Sequence, residues 1–307
     1  MNPLRGIACK VLSVILFTFM AVCIKSTAPH VPPGEAVFFR SALAVPVILG
    51  WLAWSRTLRH GLSTRHPLGH FWRGFVGTAA MGLGFTALGF LPLPEATALG
   101  YAAPLLTVIF GAMFLGEKVH AFRLTAVFVG LVGVVIVLSP RLTLTNPTEA
   151  SALQAFGAMA ALFGAVCAAL AQVTVRKLVT TEATGAIVLY FSLTSVALSF
   201  LTIPFGWTVP TGPEAVLLVS AGLLGGAGQI FLTEGYRHAE TGVIAPFEYV
   251  SMVLALVLGY LIFGEAPTLT MLAGAVLIVA AGLFIIFRER RLGLARAAAR
   301  RVMTPQG

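Results

Sequence analysis

The chain has 307 residues, of which 58% are hydrophobic and 10% charged, with 20 lysines and arginines against 11 acidic residues, a net charge of +9 at pH 7 and a mean hydropathy of +0.95. A water-soluble domain of this composition would have to expose large apolar patches, so the solvent its surface meets is lipid. In lipid every backbone polar group must be satisfied internally, and apolar stretches of this length do so as helices.

Helices are predicted at 6–26, 34–54, 72–91, 95–115, 122–139, 153–175, 185–205, 214–235, 241–263 and 268–287. The first carries Lys10 and Lys25 and has no small-residue cleavage site before the second begins, so it reads as a retained helix. The second holds Arg40 and Pro46, and a basic loop with His60, His66 and His70 follows it. The third is rich in glycine, and the fourth contains Tyr101 and Pro104. The fifth and tenth, read through Ala126 to Leu138 and Leu272 to Phe287, are apolar all round, where a strand of a membrane barrel would alternate. A linker rich in Thr, Asn and Pro precedes the sixth, the seventh holds Pro204, the eighth repeats the glycine pattern of the third, and the ninth carries Pro246 and Glu248. A basic tail, 288–307, closes the chain.

The asymmetry of charge predicts orientation. With the N-terminus in the cytoplasm, Arg5, Arg56, Arg59, Arg65, Arg73, Lys118, Arg123, Arg176, Lys177, Arg237 and the tail arginines 288, 290, 291, 296, 300 and 301 all fall inside, and only Arg141 falls in an outer loop. Both termini are therefore expected in the cytoplasm. The basic tail is an orientation signal lying on anionic headgroups, and no nucleic-acid partner is required to explain it.

The chain contains no aspartate, no HxxE or GxSxG motif and no second carboxylate well inside a span to pair with Glu248, which argues against a membrane enzyme. The six histidines lack metal-ligand spacing, so no metal site is expected. Cys9, Cys23 and Cys167 lie in apolar spans as packed thiols. Gly225-Gly226-Ala227-Gly228 follows no strand and has no phosphate-binding lysine, so no nucleotide cofactor is expected.

An internal duplication organises the spans. Residues 96–118, ATALGYAAPLLTVIFGAMFLGEK, align without a gap with 244–266, IAPFEYVSMVLALVLGYLIFGEA, placing Tyr101 on Tyr249, Gly111 on Gly259 and Gly116-Glu117 on Gly264-Glu265. Upstream, 73–90 matches 220–236, with Gly82 on Gly228, Phe85 on Phe231 and Gly89 on Gly235. Each half holds five helices, an odd number, so the second half enters the membrane from the opposite side: Glu117 is expected at the cytoplasmic face and Glu265 at the external one. The expected architecture is an all-α membrane protein of ten helices in two inverted five-helix repeats, 1–142 and 153–287, joined by an outer linker at 143–152. In such proteins a solute sits near the midplane where the repeats meet.

These features resemble the drug/metabolite transporter superfamily, in its EamA-type branch: the five-plus-five repeat, the GEK and GEA ends of the fourth and ninth spans, Phe39-Arg40, and the run from Tyr236-Arg237-His238-Ala239 through Ala245-Pro246-Phe247-Glu248-Tyr249. GHFWRG (69–74), LPLPEATALGYAAPLLTVIF (91–110) and Lys10-Val11-Leu12-Ser13-Val14 are similar to a group of bacterial riboflavin transporters. The resemblance covers residues 6–287 and implies a multi-pass transporter of the cytoplasmic membrane. Its cargo would be a small metabolite, with riboflavin the first candidate and amino acids or other metabolites the alternative.

Charges within a span face a cavity or a partner. Lys10, four residues into its predicted span, can snorkel to the interface. Lys25, near the outer end, can snorkel or serve coupling and gating. Arg40, deep in its span and permanently charged, either pairs with Glu35 or a helix carbonyl or faces substrate and gate. Glu248 either carries a coupling proton or contacts substrate, or else accepts hydrogen bonds from Ser251, Gln229 or a free amide near Pro246. Pro104 and Pro246, at similar depths, are expected to kink their helices. The expected pocket lies among the third, fourth, eighth and ninth spans. Phe85, Tyr101, Gln229, Phe231, Phe247, Glu248 and Tyr249 would line it, a mix suited to a flat heteroaromatic or zwitterionic solute.

Overall fold

The computed structural model describes residues 3–58, 62–115, 121–141, 149–239 and 244–303. Gly116, Glu117 and Lys118, Arg59 and His60, positions 143–148 of the linker and 241–243 of the ninth span lie outside the described residues, as do the side chains of Arg123, Arg141 and most of the tail.

The fold is all-α. The first span is Pro3–Thr27, the second Pro33–Trp54 and the third Pro67–Phe90. The fourth comes in two pieces, Leu93–Gly100 and Ala102–Leu115, and the fifth is Ala121–Leu138. The sixth is Glu149–Leu178, and the seventh is Thr184–Ser199 continued by a 3-10 turn, Phe200–Phe205, that contains Pro204. The eighth is Gly212–His238, the ninth a 3-10 turn Ala245–Tyr249 running into Val250–Phe263, and the tenth Leu269–Met303. Eight helices among the described residues are long and apolar enough to cross a membrane, and Leu124–Leu138 is a shorter apolar one. The third, which carries several glycines, His70 and Arg73, is of similar length and is not among these eight. The tenth helix runs on without a break into the basic tail.

Three boundary differences matter for the site. The third span begins at Pro67, not 72, because a proline in the first turn costs no intrahelical hydrogen bond and presets the helical φ. The first begins at Pro3, three residues earlier than predicted, which carries Lys10 deeper. The fourth breaks at Tyr101, where Pro104 withholds the N–H that would have continued the ladder to Gly100. Pro246 opens an irregular turn of the ninth span, so two prolines that the repeat does not align, one three residues after Tyr101 and one three before Tyr249, place the repeat-matched tyrosines at two helix discontinuities.

The two halves interlock through matching contacts. The first span packs most extensively on the eighth and the third on the sixth, while the fifth packs on the tenth and the second on the seventh. Glycines allow these approaches: Gly222 and Gly226 lie against Leu43 and Ala44 of the second span, and Gly133 and Gly274 lie each against the other's carbonyl. The outward surface is apolar, with Phe128, Phe163, Leu201, Leu261 and Phe284 each more than half exposed, as lipid contact requires. The chain is a multi-pass membrane protein.

Helix alternation puts the 55–66 and 179–183 connections on the face that carries the N-terminus. There Glu182 accepts the backbone N–H groups of Arg65 (2.9 Å) and His66 (3.1 Å), with His70 Nε2 at 3.5 Å, so a carboxylate of the sixth-to-seventh connection caps the third helix. Arg237 donates to the Glu182 carbonyl at 3.0 Å and to Thr184 Oγ1 at 2.8 Å. Burial pushes the Glu182 carboxyl up, and the Arg65 N–H and His70 outweigh it, so it titrates below the ordinary value of 4.5. A depressed carboxyl contributes stability above its unfolded pKa and loses it as pH falls. Glu182→Gln is therefore expected to lower the melting temperature of purified protein at pH 7, by the equivalent of about 1–3 kcal/mol. That gap from wild type should shrink below pH 4.5, and a gap that stays constant with pH would show that the charge contributes nothing.

Candidate substrate cavity and charged pairs

Arg40 projects from the second span, 2% exposed. Its Nη2 donates to the Gly225 carbonyl at 3.2 Å, and its Nε and Nη1 have no hydrogen-bond partner. Of the pairings predicted for it, the helix carbonyl is present and Glu35 is not: that carboxylate accepts Thr208 N–H at 2.9 Å instead. Across from Arg40 stands Arg73 of the third span, 5% exposed, whose Nε and Nη1 are also unpartnered. The guanidinium carbons of Arg40 and Arg73 lie 5.4 and 3.7 Å from the centroid of one ring, Phe191 of the seventh span. A cavity of about 350 Å³ adjoins Arg40, lined also by Phe85, Phe191 and Gln229, with Met20 and Met81 as apolar walls; Arg73 is not part of its lining.

Three of the expected residues, Arg40, Phe85 and Gln229, thus share one cavity. Tyr101, Glu248 and Tyr249 form a second cluster. The Tyr101 hydroxyl is 2.6 Å from Ser251 Oγ and 3.3 Å from the Glu248 carbonyl, and its ring meets Tyr249 edge-on at 5.1 Å between centroids. Two residues related by the repeat are therefore in direct contact. Phe231 and Phe247 are half-buried and neither lines the cavity. The second, sixth and seventh spans contribute to its wall, while the ninth does not.

Glu248 has a partner that sequence reasoning placed elsewhere. Lys10, predicted to snorkel, is 2% exposed, and its Nζ donates to the Glu248 carboxylate. The earlier helix start sets Lys10 two turns deep, and a charge at that depth is retained because an opposite one meets it. Tyr236 adds its ring, 5.8 Å from Nζ. Ser251, expected on the carboxylate, donates to the Glu248 carbonyl at 2.7 Å.

Lys25 makes the companion contact at the other end of the first span. Its Nζ lies 2.9 Å from Glu265 Oε1, 2.6 Å from the Leu91 carbonyl and 3.2 Å from that of Leu88, so all three ammonium donors are placed. Glu265 Oε2 accepts Leu93 N–H at 2.7 Å. The Gly-Glu pair that ends the ninth span has a physical explanation here: Gly264 takes φ +65°, which only glycine adopts freely, and turns Glu265 back toward Lys25.

Arg73 and Phe191 were not singled out from the sequence. A helix predicted from 72 leaves Arg73 at the interface, and the start at Pro67 carries it more than a turn inward. Phe191 is one of 22 phenylalanines, and only the fold distinguishes it.

The profile of the EamA-like transporter family matches residues 4–139 and again 155–287. The chain belongs to the EamA-like transporter family. This EamA-like protein is 30% identical over 280 residues to the pseudopaline exporter of Pseudomonas aeruginosa, covering 90% of this chain and 94% of that one. It is 27% identical over 291 residues to the S-adenosylmethionine uptake transporter of Rickettsia felis, covering 94% of each. An uncharacterized transporter of Helicobacter pylori is 30% identical over 293 residues. A crystal structure at 24% identity superposes with a TM-score of 0.67 over 94% of this chain and 98% of its own, which establishes the fold. The EamA-like chain is thus a transporter of small molecules.

Proposed function

We propose that the chain is a secondary transporter of the cytoplasmic membrane, with both termini in the cytoplasm, that moves a small polar metabolite by alternating access between repeats 1–142 and 153–287. The observation that carries this reading is the cavity of about 350 Å³ among spans of both halves, within the range of about 300–1,000 Å³ that metabolite sites occupy. It is supported by the two lysines of the first span, 15 residues and so roughly 22 Å apart along a helix, each tied to a glutamate at an opposite end of the ninth span. Opening one pair while the other stays closed admits solute from one side at a time. Arg40, Phe85 and Gln229 bind solute, Lys25 with Glu265 forms the external gate, and Lys10 with Glu248 forms the cytoplasmic gate and carries any coupling proton.

Counterflow into proteoliposomes tests the reading: a labelled panel of carboxylic acids, neutral amino acids and riboflavin should contain at least one solute whose uptake is stimulated by the same solute inside. Riboflavin enters on the resemblance of 69–74 and 91–110 alone. Uptake of every panel member that matches protein-free vesicles would overturn the proposal.

Orientation has its own test. In a variant with Cys9, Cys23 and Cys167 replaced by serine, single cysteines at 62–64 or 295–298 should react only with reagent on the cytoplasmic side. A cysteine at 143–148 should react only from outside. External labelling of the tail contradicts the assignment.

A further inference from the structure

Arg40 and Arg73 present a charge arrangement that none of the described residues completes. Each is at least nine-tenths buried and has unpartnered Nε and Nη1 atoms, and among the described residues no carboxylate pairs with either. Their guanidinium carbons, 5.4 and 3.7 Å from the Phe191 centroid, lie no more than about 9 Å apart. Arginine keeps its proton at physiological pH, so two like charges share one poorly solvated space. Leaving buried charges without counterions costs several kcal/mol each. The backbone has also been cleared for them: a Cβ at Gly225 would meet Arg40 Nε at 2.7 Å, and one at Gly77 would meet Arg73 Nη1 at 2.5 Å.

The cavity beside this pair supplies the space and the rest of the recognition. Arg40 and Phe191 both line it, so the unpartnered donors of Arg40 border the place where a solute sits, and Arg73, against the Phe191 ring, is one side chain removed from the wall. Its remaining wall is apolar or neutral, with Phe85, Met20 and Met81 for a flat or aliphatic body and Gln229 for one directed hydrogen bond. The two carboxylates nearest in function, Glu248 and Glu265, are held by Lys10 and Lys25 and do not line it. A cationic group on a solute would therefore find no counterion there, while a carboxylate would satisfy guanidinium donors in the bidentate geometry they favour.

We propose that Arg40 and Arg73, stacked about Phe191, form an anion-binding clamp that selects organic carboxylates as the transported class. The proposal rests on the cavity being the solute site, and it excludes cations and disfavours neutral isosteres.

The test uses one ring with three charges: indole-3-acetate, indole-3-acetamide and tryptamine. Binding to full-length purified protein is measured by titration calorimetry, and counterflow is measured in parallel. Because the apolar body is a probe, phenylacetate and succinate are run beside it. At least one carboxylate should bind, at least tenfold tighter than its amide, with no binding of tryptamine. Arg40→Gln and Arg73→Gln should each weaken that binding roughly tenfold or more, and Arg→Lys at either position should restore part of it because charge remains without the fork. Should the glutamine variants fail to fold, the wild-type charge series decides alone. Tighter binding of tryptamine or the amide, or no binding of any carboxylate, overturns the clamp. Carboxylate binding without flux leaves the clamp standing and removes the transport route through this cavity. Flux of an uncharged solute without carboxylate binding does the reverse.

Discussion

Glu248→Leu is expected to yield little folded protein, and Lys10→Met/Glu248→Leu to recover much of it. In the single variant the Lys10 ammonium, 2% exposed, loses the Glu248 carboxylate and keeps the Tyr236 ring 5.8 Å away. Breaking a buried pair by removing one partner costs about 3–5 kcal/mol, and replacing both partners with apolar groups is often neutral. Glu248 is itself 36% exposed, so water reaching its side relieves part of that cost. Glu248→Gln falls between, because an amide oxygen can still accept from Nζ but brings no charge. Stability is read from melting temperatures of the purified variants.

The same variants separate packing from coupling. If the pair moves a proton, Glu248→Gln and the folded double variant should lose uphill accumulation, while exchange of identical solute persists. Accumulation in Glu248→Gln with the wild-type dependence on pH would remove the pair from coupling and leave it a structural contact. The double variant is the sharper instrument, since it restores the fold without restoring a group that can exchange a proton.

The lipid-facing spans, the repeat and the prolines within the spans were legible in the sequence because each is a local pattern. Hydrophobic length gives the helices, the matched Tyr101 and Tyr249 give the repeat, and Pro104 and Pro246 mark breaks wherever they fall. Arg40 was legible as well, since its depth follows from position within one helix. What remained out of reach were pairings across the chain. Lys10 and Glu248 are separated by 238 residues, and nothing local tells which of several glutamates a lysine will meet. The burial of Arg73 was out of reach for a related reason: a count of interfacial cations treats every arginine near a predicted boundary alike, and a shift of five residues at the helix start turns an interfacial charge into a buried one.

Disrupting Lys25 is expected to leave the cavity open from the face opposite the N-terminus. Its ammonium gathers the Leu88 and Leu91 carbonyls at the end of the third span and Glu265 beyond the ninth, and Glu265 holds Leu93 N–H at the start of the fourth. One side chain therefore ties the first span to the third and to the link that Glu265 makes with Leu93 between the ninth and fourth, and its removal frees the first span from all three. In Lys25→Met a single cysteine placed at Ala96, on the cavity wall, should react with a membrane-impermeant reagent from that face roughly tenfold faster, the change that losing about 1.4 kcal/mol of closure brings. Accumulation should fall with it, since a gate that stays open dissipates the gradient. Charge reversal is the discriminating variant. A simple ion pair would tolerate Lys25→Glu/Glu265→Lys, but here a carboxylate at position 25 would face the two carbonyls, and an ammonium at 265 would face the Leu93 N–H. The swap should therefore fail to close the gate, whereas Lys25→Arg, which keeps donors toward all three acceptors, should close it in part. A charge-reversed double variant with wild-type labelling would show that only the sign of the pair matters, and that the carbonyls of Leu88 and Leu91 take no part in holding that end shut.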